Sequence, residues 1–270
     1  MKNTLLRFLC NNYIKQSCFG YRTALVSCRR CISNSVPQGQ ELTQTSVKTD
    51  AKKEVDTWEA LKHDDYFNLR SLVTLKDLFR INAHFGHHQG GRNVYMSPYL
   101  FGTRSGIDII DLEQTVPLFQ DALNFTAHIA YRGGVILFVS RSKPMMPYIE
   151  KTAELCGEYA HCRYWMPGLF TDMPNKFGQR VRLPDLCIFI NTLNSVFETH
   201  KGVIDSAKLL IPTVGLVDSN CDPRLITYPI PANDDSFKAV KYYLNLFETA
   251  VLKGKQKRKE DEEMLSDSEL

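Results

Sequence analysis

Val135-Ile136-Leu137-Phe138-Val139 is a run of five apolar residues with no polar break. A strand with one wet face alternates apolar and polar side chains. A strand covered on both faces does not, so this run predicts the interior of a parallel sheet. Leu186-Cys187-Ile188-Phe189-Ile190 and Thr213-Val214-Gly215-Leu216-Val217 repeat the pattern. Shorter strands are expected over 160–163 and 228–230. Between them the apolar spacing changes to that of helices, over 115–131, 144–156, 203–210 and 236–252. Thr115 is the expected N-cap of the first helix, and Asp234 or Asp235 of the last. Arg132-Gly133-Gly134 supplies a stop. Strands that alternate with helices require crossover connections. The expected fold is therefore α/β, a three-layer sandwich with a mostly parallel sheet. Upstream, Ile107-Asp108-Ile109-Ile110 reads as the first strand of that sheet. Residues 69–81 read as a helix capped by Ser71 or Thr74, with Leu72, Leu75, Leu78, Phe79 and Ile81 at helical spacing.

Functional loops of such sheets lie at the carboxyl ends of the strands. Here these are 140–143, 164–172, Asn191 onward and 218–224. The loop Ser140-Arg141-Ser142-Lys143 has no glycine, and neither G-x-G-x-x-G nor G-K-S/T occurs in the sequence. A phosphate-cradling loop needs bare N–H groups between strand and helix, so no nucleotide cofactor is expected. Asp218-x-Asn220-x-Asp222 begins like a calcium loop but has Pro223 at its sixth position and Pro229 at its twelfth. With Asp234 and Asp235, Asp218 and Asp222 suggest an alternative function, a metal-dependent hydrolase or phosphotransfer enzyme. Turn and capping chemistry accounts for the same acids.

Basic and aromatic residues recur in the stretch 82–115 and at the loops. Between Asp77 and Asp108 there is no acidic residue, and that window holds His84, His87, His88, Arg92, Tyr95, Tyr99 and Arg104. Arg141 and Lys143 follow one strand; Arg163, Trp165, Arg180 and Arg182 follow another. Cations interleaved with flat rings suit RNA, so these thirteen residues form the candidate RNA-binding set. His84, His87 and His88 also raise a zinc reading with Cys156 or Cys162, for which one cluster does not make four ligands.

The net charge of +3 hides an asymmetry: six basic and no acidic residues precede Glu41. Without that arm, 27 basic residues face 30 acidic ones, so the body is not a uniformly basic nucleic-acid binder. The arm, 1–35, has the composition of a mitochondrial transit peptide; a basic tail that binds RNA or membrane is the alternative. It contains Cys28-x-x-Cys31, without a second ligand pair nearby. A polar linker follows over 36–55. Eight scattered cysteines point to reduced thiols, and no apolar run is long enough to span a bilayer.

Several motifs together carry a family resemblance. They are His84-Phe85-Gly86-His87, Met96-x-Pro98-Tyr99-x-Phe101-Gly102-x-Arg104, Ile107-Asp108-Ile109-Ile110-Asp111-Leu112-Glu113-Gln114-Thr115, Leu183-Pro184-Asp185, Ile211-Pro212-Thr213-Val214-Gly215-Leu216-Val217-Asp218-Ser219-Asn220 and Asn233-Asp234-Asp235. In order and combination they resemble ribosomal protein S2, the second protein of the small ribosomal subunit, in its mitochondrial form. The resemblance implies a flavodoxin-like domain over 56–252 and a structural, non-enzymatic role. It also implies contacts to small-subunit ribosomal RNA and neighbouring ribosomal proteins, with no cofactor and no small-molecule substrate. The implied location is the mitochondrial matrix. Bacterial members insert a long helical hairpin where this sequence has only the connection 173–183. A charged segment, 253–270, matches nothing in the family pattern and reads as a helix extension or a disordered tail.

Overall fold

The computed structural model describes residues 60–178, 181–195 and 198–267. The proposed transit peptide 1–35, with its Cys28-x-x-Cys31, and the proposed linker 36–55 lie outside the described residues.

Five strands, β4 (Ile136–Val139), β5 (Tyr159–His161), β6 (Leu186–Phe189), β9 (Thr213–Val217) and β10 (Tyr228–Pro231), form one sheet, and β7 (Leu193–Ser195) pairs with β8 (Glu198–Thr199) in a separate two-stranded one. The order of the five is β10-β9-β6-β4-β5, and every pairing among them is parallel. Renumbered among themselves, the strands run 2-1-3-4-5, the flavodoxin order, which reverses direction between β4 and β6. The unbroken apolar runs fill both faces. Ile136, Phe138, Leu186, Ile188, Val214 and Leu216 enter one core. Val139, Cys187, Phe189 and Val217 enter the other, as the period of two requires. Burying each such side chain is worth roughly 1.5–3 kcal/mol.

The first core is covered by α2 (Leu112–Tyr131), α3 (Met146–Cys156) and α6 (Phe237–Asp267). The second is covered by α5 (Lys201–Lys208) and by the segment around Trp165, Phe170 and Met173. Between β5 and β6 the only described helix is the five-residue α4 (Met173–Phe177), so the bacterial hairpin has no counterpart here. Cys156, Cys187 and Cys221 are buried thiols, each pushed up to about 12 by burial.

Several expectations are corrected. Ile107–Ile110 is not in the parallel sheet: as β3 it is the middle strand of a separate antiparallel sheet, between β1 (Phe85–His88) and β2 (Leu100–Arg104). The N-cap of α2 is Asp111, whose Oδ1 accepts from the Glu113 N–H at 3.0 Å. Thr115 lies inside the helix and donates its hydroxyl to the Pro231 carbonyl at 2.7 Å, fastening α2 to β10. Before α6, the Asn233 side chain accepts from the Asp235 and Ser236 N–H groups, the role assigned to the aspartates. The helix over 69–81 is a short α1 (Leu75–Arg80), capped by Thr74, and Phe79 points outward with 60% of its surface exposed. The charged segment from Lys253 is helix, continuous with α6 to Asp267. Of its side chains, Lys253 caps the Asn68 carbonyl at 3.0 Å, Lys255 caps that of Cys156 at 2.6 Å, and Asp261 accepts from Tyr131 at 2.7 Å.

Candidate nucleic-acid interface

The small antiparallel sheet is docked on the carboxyl tip of β9. The His87 N–H donates to Ser219 Oγ at 2.8 Å, and the Asn93 N–H donates to the Ser219 carbonyl at 2.8 Å. Gly86 permits this approach: a Cβ there would lie 2.8 Å from Ser219 Oγ and 3.2 Å from the Asp108 carbonyl. The stretch singled out for its cations and rings is thus held at the functional edge of the parallel sheet.

His87 bridges two carboxylates, with Nδ1 3.0 Å from Asp218 Oδ2 and Nε2 3.2 Å from Asp235 Oδ2. Asp218 is wholly buried. Its hydrogen bond to His87, followed by its charge and those of Asp235 and Asp234, raises the imidazole to about 9 against burial. Burial, then the neighbouring Asp218 charge, pushes the Asp234 carboxyl well above its usual range. An open cleft of about 320 Å³ lies beside this cluster, lined in part by Arg141, Ser142, Asn191, Asn194, Asn220 and Asp235. It sits at the reversal point of the sheet, where Ser140 after β4 donates to Asn191 Oδ1 after β6 at 2.8 Å. Asn191 in turn donates to Asp234 at 3.1 Å. Arg141 donates to the Asn194 carbonyl and side chain.

The acidic-pocket alternative is not favoured by this geometry. Asp222 is engaged by the Arg224 guanidinium at 2.7 Å, and Asp218 by His87. Among the described residues no group of three or more His, Cys, Asp or Glu side chains is arranged to hold a metal ion, so the three-histidine zinc reading finds no support there either.

The thirteen candidate residues separate into distinct environments. Arg104, Lys143 and Arg163 are exposed, as are Arg141 and His88. Tyr95 is half-exposed, with the Arg224 guanidinium 3.5 Å above its ring. Tyr99 is partly buried against the second core. Arg92 donates through Nε to the buried Asp108 at 2.8 Å, and this bond holds the Asp108 carboxyl below its usual range. His84 is half-buried, stacked on Phe79 at 4.6 Å, and burial lowers its pKa. Trp165 needs correction as a surface ring. It is 3% exposed, and its indole N–H donates to Asp205 at 3.0 Å inside the second core. Arg182 pairs with Asp185 at 2.7 Å, just ahead of β6, and so stands at the amino end of the sheet, away from Arg141 and Lys143. Arg180 lies outside the described residues. Phe79, read as an apolar position of the helix over 69–81, and Phe85, at the start of β1, were not among the candidates, and both are exposed.

The family model for ribosomal protein S2 matches residues 78–177 and 173–254. A Bos taurus relative, small ribosomal subunit protein uS2m, is 57% identical over 202 residues, covering 75% of this chain and 69% of the relative. Small ribosomal subunit protein uS2 of Gluconobacter oxydans is 33% identical over 224 residues, covering 67% of this chain and 83% of the relative. Its counterpart in Granulibacter bethesdensis is 32% identical over 224 residues, covering 67% and 85%. The chain belongs to the ribosomal protein S2 family.

Proposed function

We infer that the protein is a structural, non-enzymatic constituent of the mitochondrial small ribosomal subunit. It works in translation in the matrix and contacts small-subunit ribosomal RNA and neighbouring ribosomal proteins. The observation that carries this is the family membership, with a relative named small ribosomal subunit protein uS2m at 57% identity over three quarters of the chain. No helix among the described residues is long and apolar enough to cross a membrane. For the RNA contact we propose the exposed cations Arg104, Arg141, Lys143 and Arg163, with Tyr95 under Arg224. Residues 1–35 are proposed as the import signal. Sedimentation of mitochondrial lysates through a sucrose gradient tests the reading. The protein is expected to co-migrate with the small subunit, and its consistent absence from that particle overturns the assignment.

A further inference from the structure

We propose that the outward face of the small antiparallel sheet is a stacking platform for unpaired RNA nucleotides; the proposal rests on the ribosomal assignment above. Two cross-strand rows build the face. Phe85 pairs with Ile109, which pairs with Gly102; His88 pairs with Ile107, which pairs with Arg104. Thr103 and Asp108 point the other way, bonded to each other at 2.9 Å and to Arg92. The pleat therefore turns their strand neighbours outward. Phe85 is 42% exposed and Ile107 39%, and Phe101, on the edge strand, is 81% exposed.

Three rings continue the surface toward α1. Phe79 lies over His84 at 4.6 Å and 10°, and His84 meets Phe85 at 4.2 Å. Gly102 leaves a gap in the middle: a Cβ there would meet nothing within 4 Å, so backbone faces open space. Arg104 stands at one end, in the row of His88 and Ile107. Arg80 follows Phe79 on α1 and lies 3.9 Å from Asp77. No acidic residue occurs between Asp77 and Asp108. Asp108 itself is buried on the opposite face and paired.

Flat rings, bare backbone and flanking guanidinium groups match the three parts of a single-stranded nucleotide: base, sugar edge and phosphate. A duplex keeps its base faces stacked internally and has no use for the rings. A protein partner's apolar core would sit poorly on a face bounded by Arg104, which has no ion pair among the described residues, since interface centres are depleted of charge.

Ultraviolet cross-linking of intact mitochondrial small subunits, followed by mass spectrometry of nucleotide-bearing peptides, tests the platform. Adducts are expected on residues 79–107. In subunits carrying the double variant Phe85→Ala and Phe101→Ala, whose side chains lie outside the core, adducts on the remaining residues of this face should fall about tenfold, the effect of losing one to two stacked bases. The variant should still sediment with the subunit. Adducts elsewhere on the chain but none on this face, or chemical cross-links that join the face to a neighbouring protein, overturn the platform and leave the ribosomal assignment standing. Absence of the protein from the particle removes the assignment and the platform with it.

Discussion

The imidazole of His87, on the small sheet, lies 3.0 Å from the wholly buried carboxylate of Asp218, at the tip of the parallel sheet. Residues 131 positions apart thus share one ion pair, and the carboxylate has no other cation beside it among the described residues. His87→Ala strands a buried charge and should lower stability by about 3 kcal/mol, read as a shift in the denaturant midpoint. The folded-state pKa of His87, about 9, lies above the unfolded value of 6.5. Its contribution is therefore complete below pH 6.5 and lost as pH rises toward 9. His87→Gln should flatten that alkaline limb in melting curves taken from pH 6 to 9.

His200 fails in the opposite direction. It is 2% exposed, and its Nδ1 accepts from the Gly202 N–H at 3.1 Å, capping α5. Burial, then the nearby His161 and Arg141, lowers its pKa to about 4. The folded state holds it neutral, so stability falls as pH drops from 6.5 toward 4. The total is on the order of 3 kcal/mol at 1.36 kcal/mol per pH unit. His200→Asn keeps a capping oxygen and should remove most of this acid limb.

Gly254 lies where α6 crosses α2, and a Cβ there would sit 2.5 Å from the Ala127 carbonyl. An exposed helical glycine normally gains from becoming alanine. Here Gly254→Ala should instead cost roughly 1–3 kcal/mol, because backbone and not a flexible side chain must yield. A melting temperature at or above wild type would refute the close crossing.

Trp165 and Arg104 separate core from contact. Trp165→Phe should lower stability by leaving Asp205 without its indole donor, and leave the salt dependence of RNA binding unchanged. Arg104→Ala should leave the melting temperature within about 1 °C and reduce the salt slope of binding by about one, the signature of one lost phosphate contact.

The parallel sheet was legible because a strand covered on both faces writes that fact into consecutive residues, as in 135–139, 186–190 and 213–217. Ile107–Ile110 has the same short apolar look, yet Asp108 turns inward to meet Arg92, and only the pairing partners show which sheet it joins. Thr115 and Asp111 are both good caps; the choice went to the residue whose side chain reached the Glu113 N–H, while Thr115 found a distant carbonyl. The candidate RNA-binding set was a composition in the sequence, and the structure divides it between core and surface. Trp165, Arg163 and Tyr164 are neighbours in the chain, but the first belongs to the core and the other two to solvent. The stretch from Lys253 has a polar sequence because α6 outlasts the core there, touching the body through residues such as Lys253, Gly254, Lys255 and Asp261.

That last helix carries a consequence for the order of events during folding. The Asp261 carboxylate receives the hydroxyls of Tyr131 at 2.7 Å and Tyr66 at 3.3 Å. Tyr66 is among the first of the described residues to leave a ribosome or a membrane pore, and its partner is among the last. These two bonds to Asp261 can form only once nearly all of the described residues have emerged. Until then the Tyr66 hydroxyl stays open to other partners.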